Sequence, residues 1–293
     1  MSEQSHPSLR LATRGSRQAL GQSGAVAAAI TATTGRAVEL VAIETTGDLR
    51  LDVPLHVIGG QGVFVKEVQH AVLDGRADLA VHSAKDLPSA PADGLAIVAF
   101  CERRDPRDAL VGADLDSLAH GSTVATGSVR RRAQLRRVRP DLQFAELRGN
   151  IDRRLTKIPD DGAIVIAVAA LDILGLTDRI AEILEVDEFV PAVGQGCVAV
   201  ECRADDQSTL EVLAGIDHAP TRHDVEVERA FLAELGSGCS LPVGAHVRNG
   251  ILWTFLADLD TGISVSDEIE LLGGHADVEI AQAAARAARE ALQ

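Results

Sequence analysis

Arginine is concentrated in one stretch of this sequence, residues 127–154, which reads GSVRRRAQLRRVRPDLQFAELRGNIDRR. The stretch contains nine arginines and three acidic residues, a local charge of +6, in a chain whose formal net charge is -15. A guanidinium group binds a carboxylate or a phosphate through two parallel hydrogen bonds, which a lysine ammonium cannot do. We therefore interpret the stretch either as a site for an anionic ligand or as a solvated helix face that pairs with acidic residues elsewhere.

The spacing of these arginines favours an anion. If residues 128–138 form a helix, Arg130 and Arg131 lie in its first turn, where cations oppose the helix dipole. Three further arginines then share one face, where like charges repel, namely Arg132, Arg136 and Arg139. A bound anion would relieve both costs.

A second polar group, HSAKD at residues 82–86, follows the predicted strand 77–81. Ligands of α/β proteins gather at the carboxyl ends of parallel strands, which is where Asp86 would lie. A carboxylate there can stabilise a cationic intermediate, and Lys85 and Ser83 add a charge and a hydroxyl group. The alternative is that Asp86 only caps the next segment.

Cys239 is the third candidate, because it lies among glycines in the loop GSGCSLP after a predicted helix. The other cysteines, Cys101, Cys197 and Cys202, lie in or at the end of apolar strands. No His–Asp pair is evident beside Cys239, so it is either a covalent attachment point or an ordinary loop thiol. The cysteines and histidines lack the spacing of a zinc site, and we expect no metal.

The elements that must position these residues form an alternating pattern of strands and helices, which predicts two α/β units built from parallel βαβ segments. The segments 101–108 and 191–196 are interpreted as paired hinges between the units, as in solute-binding proteins. A small α+β unit follows, with Thr221 as the N-cap of a helix that ends at Gly236. The predicted domains are residues 1–101 with 197–218, residues 105–194, and residues 221–293.

The composition and the pattern of apolar residues limit the classes of protein to which the chain can belong. No apolar stretch is long enough to span a membrane, and the first residues lack the pattern of a signal peptide, so we expect a cytoplasmic protein. Aromatic residues make up 2% of the chain and the pI is about 5.0, which argues against nucleic-acid binding.

Ten motifs, in order along residues 9–245, resemble the porphobilinogen deaminase (hydroxymethylbilane synthase) family. They are LRLATRGSRQAL, TTGD, GGQGVFVKE, ADLAVHSAKDLP, CERRDPRDAL, ATGSVRRRAQL, RPDL, LRGNIDRRL, VPAVGQGCVAVECR and GSGCSLPVGA. The combination of HSAKDLP, LRGN and PAVGQG is very specific.

The resemblance implies a monomeric transferase of haem biosynthesis that deaminates four porphobilinogen molecules and joins them head to tail on a covalent dipyrromethane primer. Hydrolysis then releases the linear tetrapyrrole, and no metal is required. The family's cofactor cysteine corresponds to Cys239, which would hold the dipyrromethane as a thioether. The family's catalytic carboxylate corresponds to Asp86, which would stabilise the azafulvene cation left by the loss of ammonia.

The resemblance also assigns residues to the carboxylates of the pyrrole rings. The residues expected to bind the cofactor are Lys85, Ser83, Thr126, Ser128, Arg130, Arg131, Arg148 and Asn150. The residues expected to bind the substrate are Arg14, Ser16 and Arg154. Gln61 and Thr46 stand where many relatives have cationic residues, so Gln61 is left out of the site, and Arg17 and Arg132 are candidates to compensate.

Two other classes of function remain as alternatives. A cleft protein could bind an organic acid without chemistry, although the missing signal peptide and the Cys239 loop argue against it. A regulatory protein could bind nucleic acid through the arginine-rich stretch. The acidic net charge and the small number of aromatic residues argue against this. Neither alternative explains HSAKDLP and GSGCSLP together.

Overall fold

The computed structural model describes residues 7–49, 62, 64–236 and 241–292. Its strands, in chain order, are β1 (Leu9–Arg14), β2 (Val38–Ile43), β3 (Leu79–Ser83), β4 (Leu95–Phe100), β5 (Asp108–Val111), β6 (Thr123–Ala125), β7 (Gln143–Ala145), β8 (Ala163–Ala167), β9 (Glu182–Leu184), β10 (Val198–Arg203), β11 (Val243–Arg248), β12 (Ile251–Ala257) and β13 (Ser264–Glu270). Its α-helices are α1 (Arg17–Thr34), α2 (Thr46–Leu49), α3 (Lys66–Leu73), α4 (Val129–Val138), α5 (Ile151–Leu155), α6 (Val168–Asp172), α7 (Gln207–Ala214), α8 (Ala219–Glu234) and α9 (Ala276–Ala291).

The first sheet has the strand order β2-β1-β3-β10-β4. Helix α1 begins at Ser16, whose hydroxyl accepts a hydrogen bond from Ala19 N, and it ends at Gly35, which has the positive φ of 72° that glycine tolerates. The apolar side of α1 packs on the sheet, and Leu11, Ile30 and Leu79 are fully buried in this core. Burying each of these side chains contributes about 1.5–3 kcal/mol.

The second sheet has the order β7-β6-β8-β5-β9, and the chain passes between the two sheets twice. The first crossing runs from β4 to β5 through residues 101–107, and the second runs from β9 to β10 through residues 185–197. The two predicted connections between α/β units are therefore confirmed.

The predicted parallel βαβ pattern is present in both sheets, and each sheet also contains one antiparallel strand. Strand β10 is antiparallel to β3 and β4, and β5 is antiparallel to β8 and β9. The chain reaches each of these two strands from the other sheet, and not through a helix packed on the same sheet. The rule for βαβ units therefore does not fix the direction of these strands. Strands β1, β2 and β3 are parallel, as are β6, β7 and β8.

The third sheet, β11-β12-β13, is antiparallel and is covered by α8 and α9, which makes the predicted α+β unit. The predicted N-cap at Thr221 is wrong, because α8 begins at Ala219 and His218 caps it through Nδ1, which accepts from Thr221 N. Pro220 lies in the first turn, where its missing N–H costs nothing, so the helix starts before Thr221. None of the helices that the structure describes has both the length and the apolar character that a bilayer crossing requires.

Candidate functional site

A cavity of about 510 Å³ lies between the first and second sheets. One side is formed by residues at the carboxyl ends of β1, β2 and β3, including Arg14, Glu44 and Asp86. The other side is formed by residues 148–154, after β7, and by the carboxyl end of β8. The cavity thus lies where the parallel strands of both sheets end, as the sequence predicts for Asp86.

Cationic side chains outnumber acidic ones in this cavity. The cationic residues of the lining are Arg14, Arg17, Lys85, Arg131, Arg148, Arg153 and Arg154, and the acidic ones are Glu44, Asp86 and Asp152. Such a lining suits a ligand with several carboxylates, because charge-assisted hydrogen bonds strengthen in a partly desolvated site. The acetate and propionate groups of a dipyrromethane fit this donor set.

The structure brings together most of the predicted site residues. Those that line the cavity are Arg14, Ser16, Ser83, Lys85, Asp86, Arg131, Arg148, Asn150 and Arg154. Thr126, Ser128 and Arg130 are not among its lining residues. Cys239 and Gln61 lie outside the residues that the structure describes.

Asp86 and Lys85 lie in a 3₁₀ turn, Ala84–Asp86, directly after β3. The backbone holds this turn in place, because Ala84 N donates to Cys197 O at 3.0 Å and Leu87 N donates to Ala84 O. Strand β3 extends to Ser83, so Ser83 belongs to the strand, and its hydroxyl accepts from Gln22 Nε2 at 3.1 Å. The turn therefore presents both charged side chains to the cavity from a fixed strand end.

The pKa of the Lys85 ammonium group is shifted by burial and by the neighbouring charges. Burial lowers the pKa of Lys85 to about 8, and repulsion by Arg131 acts in the same direction. The ammonium group donates to Gln195 Oε1 at 3.1 Å. Lys85 is therefore cationic at neutral pH and titrates in a range accessible to experiment.

Asp108, at the start of β5, is the partner of both arginines in the first turn of α4. Its Oδ2 accepts from Arg130 Nη2 at 2.7 Å, and its Oδ1 accepts from Arg131 Nη2 at 2.6 Å. Burial opposes the ionisation of Asp108, but the two guanidinium groups outweigh it and hold the pKa of Asp108 well below its usual range. A carboxylate of the chain itself thus relieves the unfavourable charge at the helix start.

Arg130 has partners within the protein, and its predicted role in cofactor binding stays a prediction. The guanidinium of Arg130 is buried, and Nη1 also donates to Val190 O at 2.7 Å. Arg131 donates in addition to Val165 O, but it still reaches the cavity lining. Asp108 was not predicted to be this partner, because it is 22 residues from Arg130 in the sequence. Thr126 and Ser128 have local contacts: Thr126 Oγ1 accepts from Ser128 N, and Ser128 Oγ caps α4.

Three further arginines, in α4 or directly after it, follow the alternative interpretation, a helix face with partners in the protein. Arg132 forms an ion pair with Glu146 at 2.6 Å, and Arg139 pairs with Asp141 at 2.8 Å. Arg136 lies 5.3 Å from the centre of the Phe144 ring. Arg132 is not among the cavity-lining residues, and its compensation for Gln61 and Thr46 stays a prediction.

The LRGN turn positions the arginines on the second side of the cavity. Gly149 has a φ of 112°, which disfavours other residues, and Asn150 Oδ1 caps α5 by accepting from Arg153 N at 3.0 Å. Arg154 Nε donates to Gly149 O at 2.7 Å. Burial lowers the pKa of Arg154 to about 10, and Arg131 adds repulsion. Arg154 therefore remains a cation at neutral pH.

Three residues at or beside the site have no role predicted from the sequence, namely Gln195, Asp108 and Phe64. Gln195 and Asp108 occur in the motifs PAVGQG and CERRDPRDAL, which were quoted without roles for these two residues. Arg17, which was predicted as a candidate to compensate for Gln61 and Thr46, lines the cavity and forms an ion pair with Asp152 at 2.5 Å, which joins α1 to α5. Phe64 lies under Arg14, with 4.0 Å between the guanidinium carbon and the ring centre. Motif position alone is the signal that points to Gln195 and Asp108.

The described cysteines are poor nucleophiles. Burial raises the pKa of Cys101 to about 11, that of Cys197 to about 12 and that of Cys202 to about 11. In residues 7–49, 62, 64–236 and 241–292, no group of three or more His, Cys, Asp or Glu side chains could hold a metal ion.

Comparison with solved structures finds proteins that resemble part of the chain. The VFT2 domain of BvgS from Bordetella pertussis is 17% identical, and the match covers 72% of this chain and 87% of that one with a TM-score of 0.40. A periplasmic His/Glu/Gln/Arg/opine family-binding protein from Silicibacter pomeroyi is 10% identical, with coverage of 71% and 88% and a TM-score of 0.39. Immunogenic lipoprotein A from Vibrio vulnificus is 11% identical, with coverage of 73% and 97% and a TM-score of 0.43.

These TM-scores all lie below 0.5, and the family assignment comes instead from two family models. Residues 9–211 match the model described as porphobilinogen deaminase, dipyrromethane cofactor-binding domain. Residues 223–291 match the model described as porphobilinogen deaminase, C-terminal domain. The matches extend over most of the sequence, and this chain belongs to the porphobilinogen deaminase family.

Proposed function

We propose that this chain joins four porphobilinogen molecules head to tail on a dipyrromethane primer held by Cys239, and then releases hydroxymethylbilane by hydrolysis. The observation that carries the proposal is the cation-lined cavity with Asp86 at a strand end, in a chain of this family. A binding module without chemistry would need the cations, but it would need neither an acid at this position nor a cofactor.

The cations of the cavity bind the substrate and the cofactor through their carboxylates. Each porphobilinogen carries an acetate and a propionate group, so every added ring brings two negative charges into the cavity. Arg14, Ser16 and Arg154 hold the incoming substrate, and Lys85, Arg131 and Arg148 hold the rings already attached, with Ser83 and Asn150 beside them. Thr126, Ser128 and Arg130 support α4 and its pair with Asp108.

Asp86 acts on the charge that develops during deamination. When the carbon–nitrogen bond of the aminomethyl group breaks, ammonia leaves and the ring nitrogen supplies the electron pair that forms the new double bond. The carboxylate of Asp86 stabilises the resulting positive charge and accepts the proton that the attacking pyrrole ring loses after it bonds to the methylene carbon.

When bound, the dipyrromethane supplies the free pyrrole carbon from which the chain grows. Cys239 is the proposed attachment point, because burial keeps the thiols of Cys101, Cys197 and Cys202 protonated. The three sheets support the proposed domains, residues 1–101 with 197–218, 105–194 and 221–293. We further propose a cytoplasmic monomer, since one chain supplies the described cavity lining and the family is biosynthetic.

The test is the intact mass of the purified protein beside that of a Cys239→Ser variant. We expect the wild type to carry an excess mass equal to a dipyrromethane, and the variant to lack it. A Cys101→Ser variant is the matched control and should keep the adduct. If the wild type has only its sequence mass, porphobilinogen is added, and an adduct should then appear. No adduct after that addition would contradict the proposal and favour a plain binding protein.

A further inference from the structure

Gln195 lies in the second crossing, where the chain returns to the first sheet, and its side chain is buried. Its backbone is held on both sides: Gln195 N donates to Ala192 O, and Gln195 O accepts from Arg103 Nε at 2.9 Å. The flanking glycines have positive φ and no room for a side chain. A Cβ on Gly194 would lie 3.0 Å from Ala84 Cβ, and one on Gly196 would lie 2.6 Å from Arg104 O. The loop is therefore packed against the turn that carries Lys85.

The hydrogen bonds of the Gln195 amide allow one orientation. Nε2 donates to Pro106 O at 2.7 Å and to Asp108 Oδ1 at 2.9 Å, and neither oxygen has a proton to donate. Oε1 must then face Lys85, whose ammonium group can only donate, at 3.1 Å. The amide thus joins a cation after β3 of the first sheet to a carboxylate at the start of β5 of the second sheet.

We propose that Gln195 is a positioning residue of the reaction: its amide fastens the Lys85 ammonium to Asp108 and so fixes this cation at the cavity wall. The inference rests on the proposed function of the cavity. Asp108 also holds Arg130 and Arg131, so one carboxylate sets the positions of three cations, Lys85 through Gln195 and the two arginines directly.

The charged groups around Lys85 make this arrangement measurable. Arg131 and Arg130 disfavour its protonated form, whereas Asp86 and Asp108 favour it. Gln195 adds a neutral acceptor for the ammonium group of this half-buried lysine. Gln195→Met keeps the length of the side chain but removes this acceptor, and we expect the pKa of Lys85 to fall by about one unit as a result.

The experiment is an NMR titration of the holoenzyme with ¹³Cε-labelled lysine. The chain has three lysines, so a Lys85→Arg sample identifies the Lys85 resonance. Gln134→Met is the matched control, because Gln134 is equally buried and is bonded to Val190 N and Val190 O, not to Lys85. The expected result is a lower pKa of Lys85 in Gln195→Met and an unchanged one in Gln134→Met. In Gln195→Met, the pH at which kcat/KM decreases on the alkaline side should be lower by the same amount.

An unchanged Lys85 titration in a folded Gln195→Met protein would overturn the inference, and so would a changed titration with an unmoved alkaline limb. The titration needs no turnover, so it is separate from the mass measurement that tests the proposed function. If Gln195→Met does not fold, the unsubstituted holoenzyme supplies the answer. The side-chain amide resonances of Gln195 should then titrate with the midpoint of Lys85, and their failure to do so would equally overturn the inference.

Discussion

Asp86 lies in a cavity whose charged lining residues are mainly cationic, in a turn that backbone hydrogen bonds hold at the end of β3. Replacing it with asparagine keeps the size of the side chain but removes the negative charge. We expect Asp86→Asn to lower kcat by at least about 100-fold with little change in thermal stability, because the charge of the developing cation is no longer balanced. Steady-state kinetics and a melting curve measure the two effects.

The matched control for this variant is Asp160→Asn, at an exposed residue outside the cavity lining. Its kcat should equal that of the wild type. Near-normal turnover in Asp86→Asn would remove Asp86 from the mechanism.

Lys85 makes the activity depend on pH, because burial, followed by repulsion from Arg131, lowers its pKa to about 8. Above that pH the ammonium group loses its proton and can no longer hold a carboxylate. We expect kcat/KM to fall as the pH rises through 8, by about tenfold for each further pH unit. In Lys85→Arg the cation persists, so the fall should move to higher pH; an identical profile would assign the alkaline limb to another group.

At the scale of single elements, α4 depends on Asp108 of β5. Without this carboxylate, Arg130 and Arg131 would both keep a buried charge without a counter-ion. We expect Asp108→Asn to lower the free energy of unfolding by about 3–5 kcal/mol, as for other broken buried ion pairs. Glu146→Gln, which breaks the exposed pair with Arg132, should cost at most about 1 kcal/mol. Urea unfolding measures both, and similar losses would contradict a special role of Asp108.

The same helix marks how far the sequence predicts the fold. The position of α4 and its cap at Ser128 follow from local patterns, which depend on residues a few positions apart. Asp108, the partner of Arg130, does not follow from local patterns, because its strand β5 was not predicted. That strand pairs antiparallel with β8 and β9. The motifs identify most of the cavity residues. Contacts between sheets, such as the one between Gln195 and Lys85, are visible only in the tertiary structure.

At the scale of the whole molecule, both crossings between the first two sheets are attached to Glu228 of α8. Arg103, in the first crossing, donates to the two carboxylate oxygens of Glu228 at 2.6 and 2.8 Å. Gly194 N, in the second crossing, donates at 2.8 Å, and so does Val247 N of β11. One buried carboxylate therefore joins both crossings to the third sheet.

We expect Glu228→Gln to lower the free energy of unfolding by about 3–5 kcal/mol, because Arg103 would remain buried without its counter-ion. Glu226→Gln on the same helix is the control: its pair with Arg222 is half-exposed and should contribute at most about 1 kcal/mol. Urea unfolding at neutral pH compares the two. Equal losses of unfolding free energy would indicate that the contacts of Glu228 with the two crossings contribute no more than an exposed ion pair.

The pH dependence of stability tests the same contacts of Glu228 without a large structural change. Burial opposes the ionisation of Glu228, but Arg103 and then His246 outweigh it, and the pKa of Glu228 falls to about 2. An unfolded glutamate has a pKa of about 4.3, so the stabilisation is complete above that pH and is lost as the pH falls from about 4 towards 2. We expect this part of the acid destabilisation to be absent in Glu228→Gln. If the wild type and the variant lose stability in parallel over this range, the carboxylate of Glu228 does not carry the connection between the crossings and the third sheet.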